Sequence, residues 1–169
     1  MEVRAYIREL IDDVRQQSDA VMDNMTDELL NWRPCETANP IGAIYIHMLG
    51  AEDDFIQAVL QHRPPYWEVQ GWAQKTGVPL PPMPGRGWQE AVIAPLKVAP
   101  VQAYTQVVRA ATDAYLAGLT EAELERPAQL FGNATTVSGV LKMLIIHSAS
   151  HVGEMAALKG VQGVRGLPY

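Results

Sequence analysis

The sequence predicts an all-α fold, a four-helix bundle with a long proline- and tryptophan-rich crossover between its second and third helices. Three observations predict it. Four stretches carry apolar residues at spacings of three and four, the mark of a helix with one buried face. Eight of the 12 prolines lie between Pro64 and Pro100, where no continuous helix can persist. No stretch of comparable length alternates apolar and polar residues as a half-buried strand would.

The elements follow in order. Val3, Ile7, Leu10, Ile11, Val14, Val21 and Met22 form the stripe of a first helix. Asn39 before Pro40 reads as an N-cap with proline at the first helical position. From there Ile41, Ile44, Met48, Phe55, Ile56 and Val59 carry a second helix to about Gln61, stopped by Pro64 and Pro65. The crossover that follows holds Trp67, Trp72 and Trp88, which make it either a packed covering loop or one wall of a pocket. Pro100 can open a third helix through Val101, Tyr104, Val107, Val108, Ala111, Tyr115 and Leu116 to Gly118. The fourth begins near Thr136 and runs to Leu158, where the glycines at 160, 163 and 166 end it. There is also an internal echo. MTDELLNWRP (25–34) follows the first helix and LTEAELERPA (119–128) follows the third, each with threonine, acidic residues, leucine and Arg-Pro ahead of a histidine-bearing helix.

Composition narrows the function classes. The 169 residues, 48% of them hydrophobic, are expected to form one domain over 1–169 whose core needs neither disulfide nor structural metal to fold. The single cysteine, Cys35, cannot form an intramolecular disulfide, and MEVRAYIREL has charges where a signal peptide is apolar. Both features point to the cytoplasm. A formal charge of −6 argues against a nucleic-acid partner. No run of 18 apolar residues exists, so no membrane span is expected.

The histidines carry the chemistry. His62, in QHRPP at the frayed end of the second helix, reads as a solvated surface group. His147 and His151 are four apart and share one helix face. That face is the inward one, since Val140, Leu144, His147, His151, Met155 and Leu158 follow each other at steps of four, three, four, four and three. His47 likewise interrupts an apolar stripe between Ile44 and Met48. One inward histidine is ordinarily a satisfied core residue. Three, left without partners, would cost about 1–3 kcal/mol each. A metal meets all three needs, and three histidine ligands leave a coordination position open to water or substrate. Glu154, three after His151, and Asp54, seven after His47, are candidates for a fourth ligand, for an acceptor of an imidazole N–H, or for a general base. Cys35 is a poor candidate nucleophile, because it lies in a turn several residues ahead of the second helix.

Two metal classes do not fit. A zincin has glutamate directly after its first histidine, where HSASH has Ser148. A di-iron bundle has glutamate three residues before its histidines, where this chain has Leu144, Ser148 and Ile44. A mononuclear site remains.

The MTDELLNWRP turn, the NPIGAIYIHMLGAEDDF segment with His47 and the HSASHVGEM segment with His147 and His151 together resemble the DinB-like superfamily, which includes proteins described as YfiT-like metal-dependent hydrolases. The matching stretches span nearly the whole chain in the family's order. The resemblance implies a four-helix bundle, often a homodimer, whose three histidines bind a divalent metal such as zinc or nickel. Some relatives use low-molecular-weight thiols as cosubstrates in transferase or isomerase reactions, and most have no assigned reaction. One departure is visible: Glu154 stands where relatives commonly have glutamine.

Three function classes follow. The first is a metal-dependent enzyme acting on a small molecule, a thiol-dependent S-transferase or a hydrolase, in which the metal lowers the pKa of a bound water or thiol. The second is a non-catalytic metal-binding or stress-response bundle. The third is a bundle that has lost its metal and serves dimerisation. For the metal site, release is expected as pH falls well below about 6.5, the reference histidine value.

Overall fold

The order of elements is α1 (Val3–Met22), α2 (Asp27–Asn31), α3 (Ile41–Asp53) with a π-helical continuation over Asp54–Leu60, then α4 (Tyr66–Val69), α5 (Trp72–Thr76), α6 (Trp88–Ile93), α7 (Val98–Ala117), α8 (Glu121–Leu124), β1 (Pro127–Leu130), β2 (Asn133–Thr136) and α9 (Val137–Val161). The structure, a computed structural model, describes residues 3–167. The four long helices α1, α3, α7 and α9 form the bundle, and the chain between α3 and α7 crosses over it. No helix among the described residues is long and apolar enough to cross a membrane.

The helices differ in how much of their circumference they bury. In α1 the inward residues are Ile7, Ile11, Ser18, Val21 and Met22, and the outer faces are charged. Val3, expected in that stripe, is 50% exposed. Every residue of α3 from Ile41 to Asp53 is buried. A helix buried all round is one surrounded by others, and α3 packs against α2, α6, α7 and α9. This central helix carries His47.

Three helix starts use one device. Thr26, Thr120 and Thr136 each accept a hydrogen bond from the amide three residues on, at 3.2, 3.1 and 3.3 Å. The echoed turns are therefore two copies of the same Thr-capped single-turn helix, α2 and α8. Two starts differ from expectation. The residue that caps α3 is Pro40, in extended conformation and without a side-chain bond, so Asn39 is not the cap. Helix α7 begins at Val98, two residues ahead of Pro100, because the Asp27 carboxylate of α2 accepts the Val98 amide at 2.9 Å. Proline in the first turn removes no donor that the helix would have used.

The crossover is packed structure. Trp67 and Trp72 are buried and set their rings against Tyr104 of α7 at 5.1 and 5.2 Å. Asp53, the last residue of α3, holds it in place. Its carboxylate accepts the Tyr66 and Trp67 amides at 3.0 and 2.9 Å and the Tyr104 hydroxyl at 2.9 Å. Burial nonetheless holds this carboxyl above its ordinary pKa against the pull of those donors. A two-stranded hairpin, unexpected from the sequence, pairs β1 with β2 between α8 and α9.

The apolar core divides in two along α9. Val137, Val140, Leu141 and Leu144 join one cluster with Phe55, Ile56 and Leu60, whereas Val152, Met155 and Ala156 join a second with Ile41–Leu49 and the crossover tryptophans. His147 and His151 lie at the seam.

Candidate metal centre

Helix spacing explains how the three histidines meet. His147 and His151, one turn apart on α9, present their rings at a centroid separation of 4.5 Å, and each stands 4.8 Å from the ring of His47 on α3. One nitrogen from each ring lies within 4.8 Å of the others. His47 is 6% exposed and the other two are partly buried, so the cluster opens toward solvent on the α9 side.

Hydrogen bonds settle which nitrogens are free. Nδ1 of His47 is 2.6 Å from the carbonyl oxygen of Pro82, in the crossover. A carbonyl only accepts, so Nδ1 carries the proton and Nε2 of the neutral ring keeps its lone pair. His151 donates from Nδ1 to the Glu154 carboxylate at 2.9 Å, and in the neutral ring this leaves Nε2 bare. Nε2 of His147 lies 3.0 Å from Nε2 of His47, and its buried Nδ1 has no partner. Two imidazole nitrogens facing each other across this distance need either a shared proton or a common cation.

Neutral rings serve either arrangement, since His147 can donate Nε2–H to the bare Nε2 of His47 or both lone pairs can face an ion. Burial pushes the His147 imidazole down to about 4, with His151 and His47 adding to the effect. Burial also lowers His47, while the Pro82 carbonyl pulls the other way. Both rings are therefore neutral near pH 7, the form that ligates metals. A tetrahedral zinc ion with bonds of about 2.0–2.1 Å holds its nitrogens roughly 3.3 Å apart, within the range set by the 3.0 Å pair and the 4.8 Å limit. The donor set fits a divalent ion of intermediate softness.

The other residues read from the sequence fall into place around this centre. Glu154 is 46% exposed and touches His151, where a carboxylate fixes the tautomer and raises the basicity of the ring. Asp54 points elsewhere. It lines a separate cavity of about 60 Å³ with Trp67, Glu68 and Arg86, and burial raises its pKa against the pull of Arg86. His62 is exposed, with a left-handed backbone at φ 56°. Cys35 is exposed in its turn, its sulfur 3.3 Å from the Thr37 hydroxyl. One neighbour of the site, the Pro82 carbonyl, had no sequence signal, and another, Trp88, is one of the crossover tryptophans weighed as a pocket wall, its ring 4.9 Å from that of His47. Of the crossover tryptophans, Trp88 alone meets the histidines, while Trp67 and Trp72 serve packing.

Comparison with known proteins agrees with this fold. The family model described as the DinB superfamily matches residues 10–155. The chain belongs to the DinB superfamily. Solved structures similar to this DinB-superfamily chain include a conserved protein from Enterococcus faecalis, with a TM-score of 0.81 and 22% identity over 96% of this chain and 99% of that one. A DinB-like protein from Bacillus cereus gives a TM-score of 0.62 at 19% identity over 95% of each chain. A DinB-like protein from Bacillus subtilis gives 0.54 at 15% identity, covering 100% of this chain and 97% of that one. At these identities the likeness is one of fold. No curated protein matches the chain.

The histidine shifts carry a pH dependence whose sign can be worked out. A histidine with a depressed folded pKa takes up its proton more readily in the unfolded chain. For the metal-free protein, the stability contributed by His147 is thus fully present above about 6.5 and is lost as pH falls toward about 4. The slope is at most about 1.4 kcal/mol per pH unit, and less because the site reaches solvent. Urea midpoints of metal-free wild type and His147→Leu, compared at pH 7 and pH 4.5, should show the variant gaining on wild type at the lower pH. A constant difference would show that His147 titrates normally.

Proposed function

We propose that this protein is a metal-dependent enzyme whose single divalent ion, zinc or nickel, is held by His47, His147 and His151. The observation that carries the reading is the convergence of three imidazoles from two helices, with the outer nitrogens of His47 and His151 tied down and the inner ones left bare. When bound, the ion would supply Lewis acidity, lowering the pKa of a water or a small thiol in its open position. The chain's own groups do the rest. Pro82 holds His47 in one tautomer, Trp88 covers that ring, and Glu154 is placed to hold a proton at the solvent edge beside His151.

The reaction fits either a thiol-dependent S-transferase or a hydrolase acting on a small molecule, with a low-molecular-weight thiol as cosubstrate in the first case. Exposure of Cys35 away from the histidines supports a thiol that arrives from solution. A cytoplasmic location, a single domain and a homodimer belong to the same reading.

Protein purified without added metal should carry close to one divalent ion per chain, removable by a chelator. After cobalt substitution, β-mercaptoethanol should produce a thiolate-to-cobalt absorption band, because the open position accepts the thiol. Failure to bind any divalent ion overturns the reading. A cobalt spectrum indifferent to thiol and to other small ligands would favour the non-catalytic metal-binding alternative instead.

A further inference from the structure

Two backbone irregularities meet at Phe55, the ring that stands between the hairpin tip and His147. The first is the π-helical segment Asp54–Leu60, which directly continues the helix that carries His47. Seven residues of π-helix are rare, and such segments concentrate at functional sites. This one carries Phe55, whose ring stands 6.4 Å from that of His147. The second is the tip of the hairpin, where Phe131 and Gly132 have φ of 52° and 77°. That sign pattern belongs to a type I′ turn, whose first central position strongly prefers Asn, Asp or Gly. A phenylalanine there is strained. It is also 66% exposed, and its ring leans edge-on against Phe55 at 5.8 Å. A strained, mostly solvated aromatic contributes little to folding. An asparagine would suit the turn better.

We propose that Phe131, backed by Phe55, is a specificity-determining residue that selects substrates with an uncharged apolar or aromatic body beside the group presented to the metal. The inference rests on the metal-site reading above. Phe131 connects to the histidines through a chain of rings, Phe131 to Phe55 to His147, and Trp88 packs on His47. The carboxylate beside the cluster is that of Glu154, 2.9 Å from Nδ1 of His151. An exposed aromatic ring backed by a buried one suits a neutral apolar ligand, and the Glu154 carboxylate beside His151 disfavours a polyanion.

Cobalt-loaded protein titrated with acetohydroxamate and benzohydroxamate tests this, since the two chelators differ in a methyl against a phenyl group. Wild type should bind benzohydroxamate at least about tenfold more tightly. Phe131→Asn, which relieves the turn and should melt no lower than wild type, should bring the two affinities within about threefold by weakening benzohydroxamate alone. Phe131→Tyr should keep the preference. If wild type shows no preference, or Phe131→Asn retains it, the aromatic wall is overturned while the cobalt spectrum still reports an intact metal site. If cobalt does not bind, the metal-site reading falls and this inference falls with it.

Discussion

Replacing His147 with alanine is expected to abolish binding of the proposed metal ion while leaving the fold nearly as stable as before. Both halves of this expectation come from the same ring. Nε2 of His147 lies 3.0 Å from that of His47, so its removal leaves one ligand on α3 and one on α9. A set of three ligands reduced to two loses more than the roughly 10–100-fold that follows from disturbing an outer partner of a ligand. The expected fall in affinity is therefore at least about 100-fold. Stability responds differently. Nδ1 of His147 is a buried polar atom without a partner, and truncation removes that burden together with the ring. The lost packing and the lost burden offset each other, so the metal-free variant should melt close to metal-free wild type. Metal content by elemental analysis and thermal melts of both metal-free forms check the two halves. A variant that keeps stoichiometric metal would remove His147 from the site. His62→Ala, at an exposed position, serves as the control that should change neither quantity.

Periodicity made the four long helices and the inward direction of the histidines legible. The stripe Val140, Leu144, His147, His151, Met155 and Leu158 is buried or partly buried at every position. Features that depend on a distant backbone group were not legible. The Pro82 carbonyl meets His47 across 35 residues, and a carbonyl leaves no trace in the sequence. The cap of α7 is supplied by Asp27, 71 residues earlier, so local reading put the helix start at Pro100. The hairpin escaped because each strand has four residues and Leu130 is the one buried position among them, too few for an alternation to register. The π-helical segment escaped for a related reason. Its apolar residues Phe55, Ile56, Val59 and Leu60 also fit the 3.6-residue period, so the change of winding is invisible in the pattern.

The dependence of His47 on the crossover leads to the second large effect. Gly50→Ala should lower both the stability of the fold and the affinity for metal, although residue 50 touches no histidine. Gly50 lies on α3 one turn beyond His47, facing Pro81. A Cβ built there would overlap the Cβ of Pro81 and come within 2.8 Å of its Cγ. A proline ring has no flexible end that could turn aside, and Pro82 follows it directly. Either α3 or the 81–82 segment must shift. α3 is enclosed on every side and Asp53 is pinned by three donors, so the segment is the part that moves. Overpacking of this kind costs about 1–3 kcal/mol. The displaced Pro82 carbonyl would release Nδ1 of His47, and the ring would lose the bond that fixes its tautomer and aim. Loss of such an outer partner lowers metal affinity by about 10–100-fold. Chemical denaturation and competition with a chromophoric chelator measure the two effects. A variant with reduced stability and unchanged affinity would mean that the crossover covers the site without orienting it, and that His47 holds its position through α3 alone.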